Sequence, residues 1–196
     1  MPRVPLSSAG IIAAAADLAD HDGFDTVVLS DVARALGVQT ASLYNHVHDR
    51  AAVLDGIHEL ALGELAEAIA ASVAGRSRAD ALIGLGEAQR DYARRFPGRW
   101  AALQRVASPT TVKSEPARRL ATLTLAVLRG YELPEARLVH AVRMLGAMVN
   151  GFVALERTGG FDHRDPESEV SWGFALDALD TVFTAWGSLE KKAGRP

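Results

Sequence analysis

The chain has 196 residues, enough to bury about 70% of the surface its unfolded form exposes and to fold without covalent or metal staples. It contains no cysteine, which excludes a disulfide framework, a thiolate zinc site and a cysteine nucleophile. A net charge of −3 gives no global attraction to nucleic acid or to anionic membrane.

No stretch reads as the roughly 20 apolar residues that a membrane span requires. The apolar run Ile11 to Ala16 is followed at once by Asp17, Asp20 and Asp22, so it reads as a helix of the mature protein and not as a signal peptide. The expected location is the cytoplasm, with no membrane partner.

Strand signals are almost absent and helical periodicity is nearly continuous, which predicts an all-α fold of nine helices. The first is expected from about Leu6 to Asp20, capped by Ser7 or Ser8 and ended by Gly23. The second is expected from Asp31 to Leu36, with Ser30 as N-cap and Gly37 as stop, and the third from Thr40 to Val47. Asp49 caps a long fourth helix, Arg50 to about Val73, whose stripe is Val53, Ile57, Leu60, Leu65 and Ile69. Gly75-Arg76-Ser77 interrupts the pattern, and a fifth helix runs on to Arg95. Pro97 opens a sixth, reaching Ala107, as proline suits a first turn. Ser108 to Ser114 reads as a loop, Glu115 to Arg129 as the seventh helix, the residues from Pro134 to Gly159-Gly160 as the eighth, and Glu169 to Leu189 as the ninth. The expected division is a head over residues 5–65 and a C-terminal domain over 66–190.

The head carries the information. Small Ala33 permits close approach of the second and third helices, Gly37 makes the turn, and Val38 and Leu43 plug the gap beneath. This is the layout of a helix-turn-helix, in which the second helix of the pair enters the DNA major groove. The run Val32-Ala33, Leu36-Gly37-Val38, Leu43-Tyr44-Asn45-His46-Val47, Arg50 and Leu54 resembles the TetR family of transcriptional regulators. It departs mildly, with Val47 where phenylalanine is common and Arg50 where lysine is common. The resemblance is specific over about residues 5–65; beyond that, "FPGRWAAL" and "MVNGFVALERTGGF" look like one of the family's C-terminal subtypes.

The resemblance implies a homodimeric, ligand-relieved repressor that binds a palindromic double-stranded operator through its third helix. On it, Gln39, Thr40, Ser42 and Asn45 face bases, with Gln39 and Asn45 suited to adenine. Tyr44 and His48 meet phosphates, His46 packs or touches the backbone, Arg50 lies near phosphate, and Ser30 completes the DNA-facing set. One feature opposes this: in the first fifty residues Arg3, Arg34 and Arg50 stand against six aspartates. Phosphate neutralisation supplies much of the affinity for DNA, so weak non-specific binding and a shallow salt dependence are expected. A helical small-molecule binding protein without sequence-specific DNA recognition is the alternative that this acidity motivates.

The eighth predicted helix is apolar nearly all round, and the ninth repeats Trp172, Leu176, Leu179, Phe183 and Trp186 at spacings of three and four. With Gly151 permitting close approach, Trp172, Leu176, Leu179 and Phe183 suit either an ordinary core or, as the resemblance implies, a four-helix dimer interface. A pocket for a largely apolar effector is expected around Tyr92, Phe96, Trp100, Leu103, Met144, Met148 and Phe152, with His140 and Arg143 as polar handles, although all of these suit a core equally. The six histidines form no metal-ligand spacing, no Gly-x-Ser-x-Gly elbow or phosphate loop occurs, and His140, Arg143 and Glu156 make no compact catalytic set. No cofactor, metal or enzymatic activity is expected.

Overall fold

A computed structural model describes residues 6–193; Arg3, the expected first head residue at position 5 and the end of the charged tail lie outside them. The described residues are helical, with no strand, in the order α1 (Ser8–Asp22), α2 (Leu29–Leu36), α3 (Thr40–Leu43), α4 (Arg50–Val73), α5 (Arg78–Arg95), α6 (Pro97–Leu103), α7 (Pro109–Val112), α8 (Glu115–Arg129), α9 (Glu135–Arg157) and α10 (Ser168–Ala193). A 3-10 turn, Phe24–Thr26, joins α1 to α2. The tenth helix is α7, inside the segment expected to be a loop. Ser108 accepts the Thr111 N–H at 3.2 Å, Pro109 opens the turn, and Thr111 is fully buried.

Local signals set most helix ends. Ser7 accepts the Gly10 N–H at 3.1 Å, and Gly23, at φ 104°, ends α1. Asp49 accepts the Ala52 N–H at 2.8 Å at the start of α4. Several ends differ from expectation: α6 stops at Leu103 and not at Ala107. α2 begins at Leu29 from an extended Val28, so Ser30 lies inside the first turn and is not the N-cap. α3 is one turn long, and Tyr44 to His46 continue it as a hydrogen-bonded turn, with Val47 N–H on Leu43 C=O at 3.0 Å.

The chain forms two compact units: the residues up to Ala66 with Tyr92–Leu120, and Glu67–Asp91 with the residues from Ala121 onward. The head is therefore not a contiguous N-terminal piece. In the first unit, α1, α2, α3, α4 and α6 enclose Ile11, Ala15, Phe24, Val32, Leu43, Val53, Ile57 and Ala102. Two glycines permit the close contacts. A Cβ on Gly56 would come within 2.5 Å of the Ile12 side chain, and one on Gly98 would overlap the Ala19 carbonyl.

The second unit buries Leu82, Leu85, Leu128, Leu138, Leu145, Val149, Trp172, Leu176 and Phe183. Arg90 is fully buried within it. Its Nη2 and Nε donate to Glu156 at 2.5 and 3.2 Å and its Nη1 to Glu169 at 2.9 Å, and its guanidinium lies over the Trp172 ring at 4.9 Å. Trp172 donates its indole N–H to Glu87 at 2.8 Å. A buried guanidinium is tolerable only with its donors used this way.

The burial pattern corrects the expected subunit contacts. Trp172, Leu176, Leu179 and Phe183 are at most 5% exposed in the single chain, so they are core residues of this unit and have no surface to offer a partner. The large apolar side chains left exposed on α9 and α10 are instead Val139, Met144, Leu155, Val170 and Phe174, the last 72% exposed. Gly151 is exposed, and a Cβ on Gly146, Gly151 or Gly173 would meet open space. α9 is also long and apolar enough to cross a membrane, contrary to the expectation that no stretch qualifies. His140, Arg143 and Asn150 lie along it, and an arginine at mid-helix is costly in hydrocarbon.

Candidate nucleic-acid interface

The helix-turn-helix is built by backbone geometry. Gly37 adopts the left-handed conformation at φ 65° and ψ 34°, available to glycine without a Cβ penalty. Its N–H reaches Arg34 C=O at 3.1 Å and the Val38 N–H reaches Ala33 C=O at 3.0 Å, the paired bonds of a Schellman ending. Ala33 and Leu43 are buried beneath the turn, so the direction of α3 is fixed by packing on α2.

α3 and the turn after it carry the DNA-facing candidates. Gln39, at the N-cap position, makes no side-chain cap bond and is exposed. Tyr44 is 56% exposed; Asn45, His46 and His48 are exposed, and Thr40 and Ser42 are half-buried. His48 pairs with Asp49 at 3.1 Å. The Ala52 N–H, with a smaller contribution from His48, holds the Asp49 carboxyl below the ordinary aspartate range. Ser30 is exposed on α2, where its hydroxyl lies 3.5 Å from Asp31. Arg50 turns elsewhere: its Nε donates to Val27 C=O at 2.6 Å and its Nη2 to Asp25 C=O at 2.7 Å.

The acidity of the first fifty residues has a structural explanation. Residues 92–120 of the same unit bring Arg94, Arg95, Arg99, Arg105, Lys113, Arg118 and Arg119 against the single acid Glu115. Arg99, nearly buried, pairs with Asp17 at 2.5 Å and with Asp20 at 3.2 Å. Asp20 also accepts the N–H groups of Gly98 and Arg99 at 2.8 and 2.9 Å, and so caps α6. Tyr92 donates to Glu64 at 2.7 Å, and its burial, reinforced by that carboxylate, raises the phenol above its ordinary range. Arg105 pairs with Asp55 at 3.1 Å. Sequence reasoning missed this network because its partners are far apart in the chain; the one local hint is Pro97 opening a helix with no capping side chain of its own.

The expected effector residues divide between the units. Tyr92, Phe96, Trp100 and Leu103 belong with the head, Tyr92 and Trp100 buried there. His140, Arg143 and Met144 are exposed on α9, Met148 is half-buried, and Phe152 packs edge-on against Trp172 at 5.0 Å. A polar depression beneath the α9–α10 connection is lined by Phe161 to Asp165, Glu167 and Ser168, and none of the expected effector residues lines it. Among the described residues no three His, Asp or Glu side chains are grouped to hold a metal ion.

Residues 11–55 match the family of bacterial regulatory proteins of the tetR type, and residues 82–179 match the tetracyclin repressor-like C-terminal domain. The chain belongs to the TetR family. It is similar to the HTH-type transcriptional regulator YobS of Bacillus subtilis, with 31% identity over 84% of this chain and 86% of that protein. It is also similar to the HTH-type transcriptional regulator Rv0681 of Mycobacterium tuberculosis, with 29% identity over 83% of this chain and 76% of that protein. In fold it is similar to a single-residue variant of TetR from Acinetobacter baumannii, solved in complex with minocycline, with a TM-score of 0.71, 24% identity and coverage of 91% and 97% of the two chains. This TetR-family chain is thus a DNA-binding transcription regulator and not an enzyme.

Proposed function

We propose that this regulator is a homodimeric repressor that reads a palindromic operator through α3 and leaves it when a small, largely apolar effector binds to the C-terminal part of the chain. The observation that carries the reading is the α2–turn–α3 geometry. A packed Schellman turn presents the exposed side chains of Gln39, Tyr44 and Asn45 with no hydrogen bonds to the other described residues. Gln39 and Asn45 suit bidentate contacts to adenine, Thr40 and Ser42 shorter contacts, and Tyr44, His46 and His48 the phosphates on either side.

The exposed α9–α10 face supports the dimer. Met144, Gly151 and Leu155 share one side of α9 and Val170, Gly173 and Phe174 one side of α10, where the glycines allow close approach of a second copy's helices. The Acinetobacter TetR variant, similar in fold, was solved with minocycline bound, which supports a small-molecule effector here. Relief follows by population shift: the effector favours a conformer in which the two recognition helices no longer match major grooves about 34–36 Å apart. α4, continuous from Arg50 to Val73, is the element through which the change reaches the head. Acting on bacterial DNA places the protein in the cytoplasm.

The test is selection of duplexes from a random library by the purified protein. A palindromic consensus with half-sites one helical turn apart is expected. Absence of enrichment at low salt overturns operator recognition by the free protein.

A further inference from the structure

We infer that Arg50 is a positioning residue that closes the helix-turn-helix at its two ends, and that it acts on DNA affinity through the placement of α2 and α3 and not by contacting phosphate. The inference rests on the reading that α3 enters the groove.

Arg50 is the first residue of α4, immediately after the segment that carries α2 and α3. A cation there is disfavoured by the positive end of the helix dipole, so its position calls for a compensating interaction. That interaction is the peptide just before α2. Two of the three guanidinium nitrogens are engaged, Nε with Val27 C=O at 2.6 Å and Nη2 with Asp25 C=O at 2.7 Å. Val27 is buried and is followed by Val28, whose carbonyl receives the Asp31 and Val32 N–H groups as α2 begins. One side chain therefore ties the start of α2 to the start of α4 and closes the segment between them into a ring.

The alternative is a direct ion pair with DNA, and the two roles make opposite demands on chemistry. A phosphate contact needs charge, which lysine supplies equally well. The clamp needs two donors in a fixed planar fork aimed at two separate carbonyls, which a single ammonium on a flexible stem does not reproduce. Lysine would thus fail here.

The experiment compares wild type, Arg50→Lys and Arg50→Met in binding to a duplex recovered by the wild-type protein, across a series of salt concentrations. Amide hydrogen exchange of residues 25–32 is followed without DNA. Both variants are expected to bind about tenfold or more weaker, the loss of about one charged hydrogen bond. The slope of log affinity against log salt should be unchanged, and exchange at residues 25–32 should be faster. Wild-type affinity in Arg50→Lys, with a slope reduced by about one ion in Arg50→Met, overturns the inference and makes Arg50 a phosphate contact. If Arg50→Met does not fold, the wild type and Arg50→Lys pair decides alone. If the wild type selects no duplex, the operator reading fails, while the exchange comparison still decides the clamp: unchanged protection in Arg50→Lys overturns it.

Discussion

Replacing Asp20 tests the way α6 is fastened to α1. One carboxylate oxygen of Asp20 accepts two backbone N–H groups at the start of α6, and the other faces Arg99. α6 has no capping side chain of its own, because Phe96 occupies its N-cap position. Asp20→Ala removes the cap, which costs about 0.5–2 kcal/mol. It also leaves the nearly buried Arg99 with less compensation, a further cost of about 1–3 kcal/mol. The second figure belongs near its lower end, since Arg99 keeps Asp17 at 2.5 Å and Glu64 at 3.7 Å. The sum is about 1.5–3 kcal/mol. Asp20→Asn keeps an acceptor oxygen and loses only the charge, so about 1 kcal/mol is expected. Urea unfolding of both variants with unchanged m-values is the assay, and a double-mutant cycle with Arg99→Met isolates the shared term. Equal losses for Ala and Asn would show that the cap contributes nothing. A loss below about 0.5 kcal/mol for Asp20→Ala would refute the fastening altogether.

Tyr44→Phe should weaken operator binding by about 0.5–1.5 kcal/mol and leave the unfolding midpoint unchanged, because the hydroxyl is exposed and has no partner among the described residues; an unaltered operator affinity removes its phosphate role. His58 is 4% exposed, its Nδ1 has no partner among the described residues, and burial, aided by Arg105, lowers its pKa. The unfolded chain therefore takes up the proton first. Stability should fall as the pH drops below about 6.5, and His58→Leu should flatten that decline in urea titrations; a variant with the wild-type slope would assign it to other groups. Phe174→Glu places a charge on the exposed α10 face without touching the core, so sedimentation should show a shift toward monomer at unchanged helicity, and an unaltered association state would move the subunit contact elsewhere. Leu43→Ala empties a fully buried site beneath α3 and should cost about 2–5 kcal/mol of stability together with operator binding.

The amino-acid sequence by itself determined what depends on neighbours along the chain. Ser7, Gly23, Gly37 and Asp49 end or begin helices through bonds spanning three to five residues, so their roles could be read locally, and the Gly37 turn with Leu43 beneath it marked the helix-turn-helix. Periodicity likewise located α4, α8, α9 and α10 to within a few residues. What a buried stripe packs against is not a local property. Trp172, Leu176, Leu179 and Phe183 have the same spacing whether they meet their own subunit or another, and only the tertiary structure placed them inside, leaving Val170 and Phe174 on the open face. The same holds for charge. Asp17 and Asp20 count against a DNA-binding head along the chain, yet the fold brings Arg99 to them from about eighty residues away, and Arg50, which by position suits a phosphate, donates to the Asp25 and Val27 carbonyls. A charge tally along the chain records signs without distances, and electrostatic energy depends on both.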